Sequence, residues 1–137
     1  MWIVISVLIL LAVYLFIYYI LALLETSGPK LIKKDVHGLL KKEVIKLNIR
    51  DKPIKWNFWS NNKSTTKLTN GIYEIKFGRK AVKLTVKHEV FHIFRENPND
   101  FELANSGRKR DKLWVKIKYL LWYEFRAKIY TLTDVKL

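Results

Sequence analysis

Two of the chain's three histidines stand four positions apart around a glutamate, in His88-Glu89-Val90-Phe91-His92. On a helix, positions i and i+4 share a face at about 5–6 Å between Cβ atoms. Two imidazoles at that spacing converge on one metal ion, with Zn–N bonds of about 2.0–2.1 Å. Glu89 lies one position round from His88. It can lean toward the metal without ligating it, as a general base for metal-assisted hydrolysis. Ala81 and Thr85 share the histidine face and keep it small, while Val82, Val86, Val90 and Ile93 form an apolar stripe facing the core. A core helix with two incidental histidines is the competing reading, and the metal reading is preferred.

Catalytic zinc takes three protein ligands. The chain has no cysteine, so the third must be a histidine or carboxylate. The last long helix, expected over about Lys112 to Tyr130 with Asp111 as N-cap, places Glu124 amid an apolar face of Leu113, Ile117, Leu120, Leu121 and Ala127. Burying an unpaired carboxylate costs several kcal/mol, about what a bound cation would offset. Glu124 is therefore the expected third ligand. A salt bridge to Lys128 at i+4 is the alternative.

The elements that must position these groups follow from periodicity. Trp2 to Leu24 carries no charge and is long enough to cross a hydrocarbon core of about 30 Å. No basic residue precedes it and no small-x-small cleavage site ends it, which favours an uncleaved anchor over a signal peptide. Trp2, Tyr18 and Tyr19 suit interfacial anchoring. Lys30, Lys33, Lys34, Lys41 and Lys42 follow closely, so the positive-inside rule predicts a single-pass cell-membrane protein with its soluble domain in the cytoplasm. These lysines can also rest on anionic lipid.

The expected organisation is an anchor (1–25), a linker (26–30) and one α+β domain (31–137). An amphipathic helix is expected from Leu31 to Leu47, and His37 on it is assigned no role. A strand follows from Ile54 to Trp59. Asn70-Gly71 joins strands Thr65–Thr69 and Ile72–Phe77 in a hairpin. The active-site helix is expected over about Arg79 to Arg95 and is stopped by Asn97-Pro98. Residues 97–112 read as a polar loop ending in the basic cluster Gly107 to Lys112.

His88-Glu89-Val90-Phe91-His92, with Glu124 on a second helix 32 residues later, resembles the gluzincin metallopeptidases. In size and element order the chain is similar to minigluzincins and ImmA/IrrE-type peptidases, and Glu124-Phe125-Arg126-Ala127 fits the Glu-x-x-Ala pattern of the latter. The resemblance covers about residues 31–130 and leaves the anchor unmatched. It implies a zincin-like fold, Zn²⁺ held by His88, His92 and Glu124, Glu89 as general base, and a peptide or protein substrate paired along the strand Ile72–Phe77 as cleft rim. Gluzincins often place an Asp four residues after the glutamate ligand to brace a histidine. That position is Lys128 here, and the sequence names no other group to fix the histidine tautomers. Tyr123, Tyr130 and Arg126 are candidate oxyanion donors.

The net charge of +14 supports a different class of function, a tethered non-enzymatic module binding anionic lipid or nucleic acid, with Trp56, Trp59, Trp114 and Trp122 to stack on bases. Nucleic acid has no part in the preferred reading. A latent zincin fold, with residues 131–137 folded back over the cleft, is a third expectation.

Overall fold

A computed structural model describes residues 1–100 and 109–137, the side chains of 109–111 excepted. The basic cluster at 107–112 therefore lies largely outside the described residues. The chain is α+β, with helices packed against one face of a three-stranded sheet.

Helix α1 (Trp2–Glu25) is long and apolar enough to cross a membrane. Its residues are exposed apart from a stripe at Tyr14, Tyr18, Leu21, Ala22 and Glu25. That spacing of three and four residues marks one helix face. The residues after it are docked on the chain leading to the histidine helix. Lys30 bridges Val82, the Leu31 N–H donates to the Ala81 carbonyl at 3.0 Å, and the Lys83 N–H donates to the Pro29 carbonyl at 3.0 Å.

Helix α2 (Lys33–Lys46) buries Val36 and Leu40. The strands β1 (Ile54–Phe58), β2 (Thr65–Thr69) and β3 (Ile72–Phe77) are ordered β1-β3-β2. β1 runs parallel to β3, with Ile54 opposite Tyr73, and β2 runs antiparallel, with Thr66 opposite Ile75. The Asn70-Gly71 turn forms as expected, both residues at positive φ (51° and 77°). Tyr73, Ile75 and Phe77 enter the core, alternating with Glu74 and Lys76. β3 is thus the central strand, flanked on both sides. It cannot also be the cleft rim; the strand edge beside the histidines belongs to β2.

Helix α3 (Lys83–Phe94) carries both histidines and buries Val86, Val90, Phe91 and Ile93. Its start is fixed by Thr85 Oγ1, which accepts from the Val82 N–H at 3.0 Å. It stops earlier than Asn97-Pro98 would dictate. Glu96 takes a left-handed φ of 57°, and residues 97–100 are already helical again rather than loop. Lys52 Nζ holds this corner through the Ile93 carbonyl at 3.2 Å and Glu96 at 3.0 Å.

The last rod is not one α-helix. Helix α4 (Lys109–Lys118) passes through a π turn (Tyr119–Tyr123) into α5 (Glu124–Thr133), and Asp111 lies within α4 rather than at its cap. In the π turn the Glu124 N–H bonds to the Tyr119 carbonyl, five residues back. The extra residue rotates everything before it by about 100° relative to a continuous helix of 3.6 residues per turn. The face expected to bury Leu113, Ile117, Leu120 and Leu121 together with Ala127 is broken there. Ala127 and Tyr130 are buried, and the other four are exposed.

Candidate metal centre

The π turn also aims Glu124 at α3. Its Oε2 lies 2.9 Å from His88 Nε2, and its Oε1 lies 3.0 Å from His92 Nε2. The two Nε2 atoms are 3.2 Å apart. Three donors around an ion at 2.0–2.1 Å in tetrahedral geometry stand about 3.3 Å from one another. The separations match that spacing, and the His88, His92 and Glu124 group can hold a metal ion.

The outer ring nitrogens decide which nitrogen lone pairs face inward. His88 Nδ1 is 2.8 Å from Glu25 Oε2, at the end of α1. An ionised carboxylate only accepts, so Nδ1 carries the proton and a neutral His88 turns its Nε2 lone pair toward Glu124. His92 Nδ1 is 3.1 Å from Asn97 Oδ1, which sets the same tautomer. Both partners are the outer groups a metal-ligating histidine requires. Lys128 completes the arrangement. Its Nζ reaches Glu25 Oε1 at 2.5 Å and Glu124 Oε2 only at 4.0 Å, so the i+4 salt bridge weighed as the alternative role for Glu124 is long and Lys128 pairs mainly with the end of α1.

The electrostatics agree with the geometry. Burial works against charge on His88, but the carboxylates of Glu124 and Glu25 outweigh it and hold the imidazole well above its usual pKa. Burial likewise opposes charge on Glu124, and His88 and His92 overcome it and hold the carboxyl well below its ordinary value. Without a metal His88 therefore carries a proton on the nitrogen that faces Glu124, and a cation bound between them would take that proton's place.

Glu89 is buried beside the pair without joining it. Thr66 on β2 donates to its Oε2 at 2.5 Å. Two cavities meet at Ser64, Glu89, Tyr119 and Glu124. One, of about 530 Å³, runs along β2 from Thr65 to Thr69 past His92. The other, of about 760 Å³, lies toward α1 and is lined by Tyr18, Ala22, Glu25, His88 and Lys128, with Ala81 and Thr85 also in its wall, on the histidine side as expected. Residues 131–137 line neither, and Asp134 is tied to Lys46 and Lys87.

Scans of family models, curated proteins and solved structures each find no match for this chain. The site is therefore read from its own geometry.

Of the candidate oxyanion donors, Tyr130 is committed to the core. It stacks on Phe91 with ring centroids 4.7 Å apart and donates to Glu43 Oε2 at 2.8 Å. Tyr123 donates to Asp100, and burial together with that bond raises its pKa to about 12. Arg126 lies over the Trp122 and Tyr123 rings, 5.4 and 5.2 Å from their centroids. Sequence reasoning missed Tyr119. Its ring is 5.2 Å from that of His92, and it lines both cavities. Burial and the charges of Glu124 and Glu89 push its pKa far up, so it keeps its O–H. Glu25, Asn97 and Thr66 were missed as well. None lies within the motif, and only Asn97, five residues after His92, was close enough in sequence to suspect.

Proposed function

We propose that the chain is a membrane-anchored zinc metallopeptidase of the gluzincin kind, with α1 in the bilayer and the domain on the cytoplasmic side. The observation that carries this is the pair of outward Nδ1–H bonds to Glu25 and Asn97, which leaves two Nε2 atoms and one carboxylate facing a common point. The HExxH residues, the third-ligand glutamate and a cleft beside an edge strand together fit hydrolysis of an extended peptide. The lysines that follow α1 favour the cytoplasmic side.

A zinc ion at this point would polarise the scissile carbonyl and make water nucleophilic near neutral pH. The chain's residues do the rest. An extended substrate pairs with the outer edge of β2 through main-chain hydrogen bonds. Thr66 fixes one oxygen of Glu89, and the other takes a proton from the attacking water and passes it to the leaving amine. Tyr119 donates to the oxygen on which negative charge develops.

The test is metal analysis and peptide hydrolysis on the full chain in detergent or lipid. Wild type should hold near-stoichiometric zinc. Glu89→Gln should keep the zinc and lose hydrolysis by about 10²–10⁴-fold, whereas Glu124→Ala should lose the zinc. A wild-type protein that binds no zinc, or hydrolysis that survives Glu89→Gln, refutes the proposal.

A further inference from the structure

The exposed side of the last rod sets large apolar residues among the exposed lysines Lys112, Lys116 and Lys118. Leu113, Trp114, Ile117, Leu120, Leu121 and Trp122 all present their side chains outward, with Leu113 and Leu120 each 60% exposed. An apolar face of this size marks an interaction surface. Its position says what covers it. The Tyr14 hydroxyl donates to the Leu121 carbonyl, and the Tyr14 ring lies 5.4 Å from that of Phe125. Tyr14 stands 11 residues before Glu25, about 16 Å along the helix at 1.5 Å per residue. That is about half of a hydrocarbon core roughly 30 Å thick. An element touching α1 from outside at that level meets lipid rather than water.

The basic residues fit the same placement. Lys118 lies over Trp114 and Arg126 over Trp122, at 5.7 and 5.4 Å from the rings. A cation laid over an aromatic ring is stabilised where water is scarce. A helix supplies its own backbone hydrogen bonds, so it can lie against lipid without exposing unpaired peptide groups.

We propose that the apolar face of α4 and the π turn lies against the bilayer beside α1. The protein is then held by two elements, and the cavity between α1 and Glu124 opens beside the lipid. The partner is the lipid itself, neither a second copy nor another protein. The proposal rests on α1 being in the bilayer and not on any catalytic role for the site.

The cysteine-free sequence makes the test direct. Single nitroxide labels are placed on the full chain at Ile117→Cys and Leu120→Cys, with Leu8→Cys as reference for lipid and Lys55→Cys for water. The proteins are reconstituted in phosphatidylcholine vesicles with a minority of phosphatidylglycerol, and circular dichroism confirms each variant's wild-type fold. Collision rates with oxygen and with a water-soluble nickel chelate are compared. Labels at 117 and 120 should show an oxygen-to-nickel ratio several-fold above that at Lys55 and close to that at Leu8. Ratios matching Lys55 would overturn the proposal. So would low collision with both reagents accompanied by spin–spin broadening, which would reveal a second copy on this face. A water-like ratio at Leu8 would overturn the placement of α1 as well.

Discussion

Replacing Glu25 by glutamine should impair the metal centre from outside it. The carboxylate serves two donors at once, His88 Nδ1 at 2.8 Å and Lys128 Nζ at 2.5 Å. A glutamine has one acceptor oxygen and one NH₂ in their place. Lys128 can only donate, so it claims the oxygen and leaves the NH₂ facing His88 Nδ1. The imidazole then minimises the donor–donor clash by moving its proton to Nε2, the atom 2.9 Å from Glu124. That nitrogen is closed to a metal in this tautomer. Loss of such an outer partner typically costs 10–100-fold in metal affinity, or about 1.4–2.7 kcal/mol. The assay is competition for zinc against a calibrated chelating dye, on full-length wild type, Glu25→Gln and Glu25→Gln/Lys128→Met. The double variant removes the lysine that claims the amide oxygen and frees the glutamine to turn that oxygen toward His88 Nδ1, so an affinity that recovers toward wild type isolates the bracing of His88. A zinc Kd within a factor of about two of wild type in Glu25→Gln refutes the tautomer argument.

Tyr119→Phe should leave zinc content and KM near wild type while lowering kcat by about 10²–10³-fold, the usual loss for one oxyanion donor; a larger effect on KM than on kcat would assign it to binding instead. Gly78→Ala should destabilise the fold by about 1–3 kcal/mol in denaturant melts, because a Cβ there would stand 2.4 Å from the Asn62 carbonyl oxygen. Asp134 is held down to about 2 by its bonds to Lys46 and Lys87. A depressed carboxylate contributes stability that is complete above its unfolded pKa and lost as pH falls through the folded one. The melting-temperature gap between wild type and Asp134→Asn should therefore be constant above about pH 4–5 and close toward pH 2.

The hairpin could be read from the chain because its signals are local. Asn70-Gly71 sets the turn, and alternation along Ile72 to Phe77 sets the buried side. The spacing of His88 and His92 likewise needs nothing beyond one helix. Glu124 was found by asking why a carboxylate sits on an apolar face, and it does meet the histidines, though the wheel that pointed to it was out of phase. A π turn leaves no compositional mark in Tyr119-Leu120-Leu121-Trp122-Tyr123, so a period of 3.6 carried through it misplaced Leu113, Ile117, Leu120 and Leu121. Strand order was hidden for a different reason. β1 reaches β3 only after β2 has been laid on the far edge, and nothing in the strand sequences records that crossover. Glu25 lay beyond any local pattern, since its partners are 63 and 103 residues away.

Because Glu25 closes the first helix and contacts His88, that helix is part of the candidate metal centre. Were a protease to clip the chain between this helix and Lys30, the liberated fragment would leave its brace behind, with Lys128 stranded beside an imidazole free to turn. For the anchored peptidase proposed above, shedding would then silence hydrolysis, and substrate would have to come to the membrane.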